Sequence, residues 1–314
     1  MKVMVTGAAG FIGFHVVNKL VDEGYDVCGI DSYNAYYDPN LKVERNKRLP
    51  IEVDVVDLKD KEELKIHMVR EKPDAIIHLA AYAGVRSSLE FPHVYIDNNI
   101  YGTQNLIDVA EELGIENALY ASTSSVMSGQ PIPFTETNPG PAKHPYAMTK
   151  IANESQFNYS KIAKTIGLRF FTVYGPWGRP DMALFTFTNK IIKGEPIDVY
   201  NHGNMTRDFT YVDDIVSGIM ILLKECINND VQILNDVYNI GYGDRVPLIH
   251  FIEQIENNLG REAKKNYMEM HPADAVDTWS DTSKLRALGY KPTTPIEDGV
   301  YEFIQWYKHY YGVN

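Results

Sequence analysis

The sequence predicts an α/β fold, a doubly wound parallel sheet with a smaller mixed C-terminal domain. Three observations carry this. A short apolar strand at residues 3–6 runs into the glycine-rich turn Gly7-Ala8-Ala9-Gly10-Phe11-Ile12-Gly13 and then into an amphipathic stretch reaching Leu20 and Val21. Apolar strands and helical patterns alternate from there to Phe171, the order that produces a parallel sheet covered on both faces. Beyond Phe171 the character changes to turn-rich and aromatic segments, beginning with Tyr174-Gly175-Pro176-Trp177-Gly178-Arg179-Pro180-Asp181.

The glycine turn has a physical reason at each position. Gly7 permits the tight turn, Gly10 lets the backbone approach a pyrophosphate, and Gly13 lets helix and strand pack closely. Phe11 and Ile12 open a helix whose N-terminus faces the anion. The spacing is Gly-x-x-Gly-x-x-Gly, not the commoner Gly-x-Gly-x-x-Gly, and it still implies a Rossmann-type nucleotide fold. A second strand, residues 26–30, ends in Asp31, where a carboxylate accepts hydrogen bonds from an adenosine ribose and repels a 2'-phosphate. That favours NAD over NADP; the alternative for Asp31 is a strand-end turn. Asp57 and Leu58 either contact the adenine or form a plain loop. Residues 75–79 read as a buried strand, 94–112 as one long helix, 117–121 as a strand, and 166–171 as the strand after the helix that carries Tyr146. Residues 211–224 and 237–240 are expected to return to the sheet, and Asn228-Asn229-Asp230 reads as a surface turn. The expected division is a nucleotide domain at 1–172 with return segments in 209–243, and a substrate domain at 173–208 and 244–314.

Composition agrees with an enzyme. The 314 residues suffice for one large α/β domain and a smaller companion. Lys+Arg 30 against Asp+Glu 42 gives a net charge of -12, which opposes attraction to nucleic acid or to an anionic membrane. An anionic substrate must then be held by local cations. Cys28 and Cys226 are the only cysteines and lack metal-ligand spacing, so they read as reduced structural thiols of a cytoplasmic protein with no metal site. Met1-Lys2 leads directly into a strand and no apolar run approaches bilayer length, so neither a signal peptide nor a membrane span is expected.

The chemistry is concentrated in Tyr146-Ala147-Met148-Thr149-Lys150, downstream of Ser122-Thr123-Ser124-Ser125. A tyrosine and a lysine four apart on a helix share one face, and a nearby ammonium favours the phenolate. Phenolate, hydroxyl relay and a redox nucleotide together make a base beside a hydride acceptor. Strand 117–121 delivers the hydroxyl cluster at its carboxyl end, where ligands bind in such sheets.

These residues resemble an extended short-chain dehydrogenase/reductase of the nucleotide-sugar epimerase group. The resemblance spans nearly the whole chain through His78-Leu79-Ala80-Ala81, Asn99, Arg169 to Pro176, and Arg207-Asp208-Phe209-Thr210-Tyr211-Val212-Asp213-Asp214. Within the group it is most similar to UDP-glucuronate 4-epimerases, through Gly84-Val85-Arg86-Ser87-Ser88-Leu89-Glu90 and the run Gly175 to Leu184. The resemblance implies Thr123, Tyr146 and Lys150 as the catalytic trio. It also places Leu79, Ala80, Ala81, Asn99 and Ser122 beside the NAD, with Lys150 on the nicotinamide ribose. The implied reaction is oxidation of a UDP-sugar at C4, turning over of the 4-keto sugar, and reduction on its other face, with NAD retained throughout.

For glucuronate, C4 oxidation creates a β-keto acid that loses carbon dioxide if the carboxylate bond aligns with the carbonyl. Ser124, Ser125 and Thr172 are the candidates to hold it away; for the two serines the alternative is strand-end capping. Arg179 contacts the sugar acid or fixes its loop, and Arg86 and Arg207 hold the diphosphate or form surface ion pairs. Asp274 falls in a nucleotide-contacting segment, the uracil lies near Val199, Tyr200 and Asn201, and Thr278 leaves the sugar pocket roomy. The implied assembly is a homodimer paired through helices at 94–112 and 146–165. Departures are Val126-Met127-Ser128 in place of Val-Tyr-Gly, His271 in place of an arginine, and an abbreviated stretch at 42–52. UDP-glucose and UDP-N-acetylglucosamine 4-epimerases share the catalytic groups. A decarboxylase or dehydratase would carry an acid beside Thr123, and a non-catalytic NAD-binding protein would lose Tyr146 or Lys150.

Overall fold

The computed structural model of the chain describes residues 1–137, 139–228, 235–271 and 274–313. Strands β1 (Lys2–Thr6), β2 (Asp26–Asp31), β3 (Val53–Val55), β4 (Ala75–His78), β5 (Asn117–Thr123) and β6 (Lys164–Phe170) join an edge strand, Asp236–Ile240, in one seven-stranded sheet. Its order is Asp236–Ile240, β6, β5, β4, β1, β2, β3, and every pairing is parallel. The winding reverses between β1 and β4, so a crevice opens there at the carboxyl ends of the strands.

The helices of this part are α1 (Phe11–Asp22), α2 (Asn40–Asn46), α3 (Lys61–Glu71), α4 (Val85–Glu90), α5 (Pro92–Tyr95), α6 (Gly102–Glu112) and α7 (Pro145–Tyr159). Side chains alternate across β1, as the pleat requires. Val3 and Val5 pack with Val16, Leu20 and Ile219 under α1 and the helix Val212–Ile227, whereas Met4 packs with Leu64, Met68, Leu106 and Phe157 under α3, α6 and α7. Both faces are therefore apolar, which explains why β1 and β4 read as continuous runs.

Three expectations change. The helix expected at 94–112 is α5 and α6 joined by a π-helical turn, Ile96–Tyr101. A π turn loosens the local hydrogen-bond ladder, and the carbonyls of Asn99 and Ile100 accept instead from Asn153 Nδ2 at 2.6 Å and Gln156 Nε2 at 3.0 Å on α7. The turn thus docks α7. The helix expected to reach residue 165 stops at Tyr159, because Ser160 turns extended and Ile162 is drawn into the core ahead of β6. Residues 211–224 return as the covering helix Val212–Ile227, and only Asp236–Ile240 adds a strand. Of the expected surface turn, Asn229 and Asp230 lie outside the described residues.

A second apolar core lies beyond the sheet, where Phe185, Phe251, Ile252, Val300 and Phe303 meet from helices Ala183–Lys193, Leu248–Leu259 and Ile296–Tyr311. Short strand pairs edge it: Thr172–Tyr174 parallel to Phe209–Tyr211, Ile197–Tyr200 parallel to Lys265–Met268, and Thr206–Arg207 antiparallel to Val246–Pro247. Arg45 of α2, wholly buried, joins the two parts. It donates to the Ala9 carbonyl at 3.1 Å, the Trp177 carbonyl at 2.6 Å and Tyr37 Oη at 2.8 Å. One side chain therefore fixes the glycine turn against the loop after Tyr174.

Buried His78 and half-buried His15 make the fold acid-sensitive. His78 sits between Thr6 Oγ1 at 2.8 Å and Thr103 Oγ1 at 3.0 Å, and His15 bonds the Pro176 carbonyl at 3.0 Å. Burial pushes His15 down to about 4 and His78 down to about 3. In the unfolded chain both take protons near pH 6.5. Between pH 6.5 and pH 4 the unfolded state therefore binds more protons, and stability falls as pH falls. Urea midpoints measured across that window are expected to decline, and His78→Asn should flatten the decline; an unchanged slope would contradict this.

Candidate active site

The glycine turn ends β1 and starts α1 at the crevice. Gly7 has φ of +71°, and a Cβ there would lie 2.8 Å from the Ala80 nitrogen. A Cβ on Gly13 would overlap the Gly7 carbonyl oxygen. Gly7, Gly10, Phe11, Ile12 and Gly13 all line one large cavity. Asp31, at the end of β2, is 5% exposed and accepts through Oδ1 from the Tyr33 N–H at 2.8 Å and Lys42 Nζ at 3.1 Å. Its Oδ2 makes no hydrogen bond among the described residues, and Asp31 lines the same cavity together with Asp57 and Leu58. A glycine cradle at a helix N-terminus followed by a carboxylate with a free oxygen fits a dinucleotide.

Leu79, Ala80, Ala81 and Ser122 line the cavity between the glycine turn and α7. Asn99 does not line it. Asn99 is wholly buried and holds the loop from behind: its Oδ1 accepts from the Tyr82 N–H at 2.8 Å, and its Nδ2 donates to the Tyr82 carbonyl at 2.9 Å and Thr149 Oγ1 at 3.0 Å.

Thr123 closes β5, and Tyr146 and Lys150 face it from α7. The Thr123 side chain lies near enough to the Tyr146 hydroxyl to lower its pKa, and Thr123 Oγ1 accepts from the Ser125 N–H at 3.2 Å. Lys150, 1% exposed, donates to the Ala121 carbonyl at 3.0 Å. Burial raises the Tyr146 pKa, while the Thr123 side chain and the Arg179 charge pull it back. Burial is the larger effect, so on balance the site holds Tyr146 as the phenol, with Thr123 and Arg179 pulling toward the phenolate, where the spacing pointed to Lys150. Burial also pushes Lys150 down to about 8, opposed by the Glu154 carboxylate. Glu154 lies beneath the trio in a buried fork: Arg169 Nε and Nη2 donate to its two oxygens at 2.8 Å each, and Ser122 Oγ donates at 2.6 Å.

Ser124 and Ser125 begin a 3-10 turn, Ser124–Met127, and line the cavity, as does Thr172. None of the three hydroxyls makes a hydrogen bond among the described residues. Arg179 fixes its loop, donating to the Ala83 carbonyl and, at 2.5 Å, to Asp181 Oδ2, and it lines the cavity as well. Arg86 donates to Asp274 Oδ2 at 2.8 Å and lies 4.0 Å over the Tyr200 ring. Arg207 donates to the carbonyls of Thr206, Ala275 and Val276 at 2.7–2.9 Å, and Thr278 faces the cavity beside it. Val199 is buried in the second core, and Tyr200 stands behind Arg86. Met127 packs with Phe134 and Phe171, and Ser128 faces the cavity. The structure adds Lys42, Arg45, Tyr36, His144 and Glu154. The only sequence signal among them was Glu154, four residues after Lys150.

Among the described residues no group of histidine, cysteine and acidic side chains could hold a metal, and no helix is long and apolar enough to cross a membrane. Cys28 and Cys226 are buried and unpaired, and burial pushes their pKa values to about 12 and about 11.

The fold and site define a nucleotide-dependent enzyme of the extended short-chain dehydrogenase/reductase type. The chain belongs to the NAD dependent epimerase/dehydratase family, which it matches over residues 3–241. It is 45% identical to protein CapI of Staphylococcus aureus, covering 99% of each chain. It is 38% identical to a UDP-glucuronate 4-epimerase of Thermodesulfobacterium geofontis, covering 97% of this chain and 95% of that one. The crystal structure of UDP-glucuronic acid 4-epimerase from Bacillus cereus, in complex with UDP-glucuronic acid and NAD, superimposes with a TM-score of 0.92 at 31% identity, covering 99% of this chain and 100% of that one.

The cofactor is NAD. Denaturing the purified protein and assaying the supernatant is expected to release it, and Gly13→Ala should abolish its retention, since the added methyl overlaps the Gly7 carbonyl. Recovery of NADP would contradict the reading of Asp31.

Proposed function

We propose that this protein interconverts UDP-glucuronate and UDP-galacturonate by NAD-dependent epimerisation at C4, as an isomerase with no net redox change. The observation that carries the acidic sugar is the set of hydroxyls on Ser124, Ser125 and Thr172, unpartnered among the described residues, on residues that line the same cavity as Tyr146 and Thr123. Three donors around one space suit a carboxylate, and left without an acceptor they would carry a desolvation cost. The names of the T. geofontis and B. cereus relatives point the same way.

NAD on the glycine turn would supply the acceptor and later the donor of the C4 hydride. Tyr146 takes the proton of the 4-hydroxyl, with the Thr123 hydroxyl as bridge, and returns it after the sugar has turned over. Lys150 anchors the nicotinamide ribose, and Asp31 the adenosine ribose, with Lys42 orienting its carboxylate. Arg86 and Arg207 hold the diphosphate; Arg86 must exchange Asp274 for phosphate, leaving Asp274 for the nucleoside. Ser124, Ser125 and Thr172 keep the carboxylate out of alignment with the 4-keto group. Residues 1–172 and 209–243 serve the nucleotide, and 173–208 with 244–314 the UDP-sugar.

The reading makes kcat/KM for UDP-glucuronate exceed that for UDP-glucose by at least about tenfold, the scale of one or two unpaired buried donors. Thr172→Val should lower turnover of UDP-glucuronate and release carbon dioxide with a pentose product. A wild-type preference for UDP-glucose or UDP-N-acetylglucosamine would leave a neutral-sugar 4-epimerase. We also propose a cytoplasmic homodimer. Exposed Leu89, Phe91, Ile96, Tyr101, Met148 and Tyr159 on the α4–α6 and α7 surfaces support pairing there, and sedimentation showing only monomer at micromolar concentration would overturn it.

A further inference from the structure

We infer that His144 is a sugar-positioning residue, whose Nε2–H donates to an oxygen of the bound pyranose. The inference rests on the UDP-sugar reading of the cavity and adds to it a contact at a residue with no counterpart in the motifs that led there.

His144 precedes α7 and acts as its N-cap: its backbone is extended, and Nδ1 accepts the Ala147 N–H at 3.1 Å. An N-cap acceptor satisfies one of the free N–H groups at a helix start. Serine, threonine, asparagine and aspartate do this with oxygen; a histidine does it only by fixing its tautomer. With Nδ1 as acceptor, the proton of the neutral ring must reside on Nε2. Burial lowers the His144 pKa, against a smaller pull from the Asp274 carboxylate, so the neutral form is the working one.

That Nε2–H has no protein acceptor among the described residues. The side chain is only 6% exposed, yet it lines the cavity together with Ser125, Ser128 and Tyr146. Its ring lies parallel to the Tyr146 ring, with centroids 6.2 Å apart and planes 7° from coplanar. A nearly buried donor beside the catalytic phenol, oriented by a helix cap and without a partner, is placed for a substrate acceptor. The sugar supplies the acceptors in that half of the cavity, through its ring hydroxyls, carboxylate and transient carbonyl.

Two substitutions separate the cap from the donor. His144→Asn keeps an acceptor at the Nδ1 position and removes the Nε2–H. His144→Gln keeps an N–H near the Nε2 position and removes the cap. For the full chain, His144→Asn is expected to retain wild-type thermal stability and bound NAD while raising KM about fivefold or more, the effect of one neutral hydrogen bond. His144→Gln is expected to lower Tm and stay closer to wild type in KM. UDP alone, which lacks the sugar, should bind both variants as it binds wild type. If KM follows Tm, with the Asn variant indistinguishable from wild type, His144 is a helix cap alone and the inference falls. The assay uses whichever UDP-sugar the wild-type enzyme turns over, so failure of the glucuronate assignment is read separately, from the wild-type preference.

Discussion

Tyr146→Phe is expected to lower kcat by at least about a hundredfold, the scale for losing a general acid-base group, with NAD content and UDP-sugar affinity nearly unchanged. The phenol ring is held by packing that the substitution keeps: it lies edge-on to Tyr95, with centroids 6.3 Å apart, and parallel to His144. Only the oxygen is lost, along with its electrostatic contact with the Thr123 side chain. Thr123→Val should be milder than Tyr146→Phe, because a water can partly replace a bridging hydroxyl. Stopped turnover with intact binding places Tyr146 in the proton transfer. Near-normal turnover would remove it from the mechanism.

The second large effect is on stability. Glu154→Gln leaves the Arg169 guanidinium buried without its charge partner. Breaking a buried pair from one side costs about 3–5 kcal/mol. Urea unfolding should show a loss of that order for Glu154→Gln. The pair variant Glu154→Leu with Arg169→Met should recover part of it, because neither charge then remains. The activity of the single variant should fall as well, since Glu154 is the carboxylate that supports the charge of Lys150. A single variant as stable as wild type would show that water reaches Arg169 and that the fork contributes little.

What the sequence showed of this molecule follows the range of the interactions involved. The glycine turn, Asp31, Thr123 and the Tyr146–Lys150 pair were legible because each is a local pattern: a turn, a strand end, one face of one helix. The parallel sheet was legible because β1 and β4 are apolar on both faces. The π turn at Ile96–Tyr101 was not, since its carbonyls are satisfied by Asn153 and Gln156 across a helix pair. Arg45 was hidden for the same reason, with partners 36 and 132 positions away. Lys42 sat in a stretch read as abbreviated, and its partner Asp31 is reached only after the chain folds back over Tyr37. His144 was overlooked because a histidine is not an expected cap, and Asn99 drew a direct cofactor role whereas its side chain braces the Tyr82 loop.

The most direct test of the central claim is a proton NMR time course of purified protein with UDP-glucuronate and no added cofactor. UDP-galacturonate is expected to appear and approach a fixed ratio with its precursor, without a pentose product, because NAD stays bound and the carboxylate is held. UDP-glucuronate that remains unchanged, from a preparation that converts UDP-glucose or UDP-N-acetylglucosamine, would contradict it.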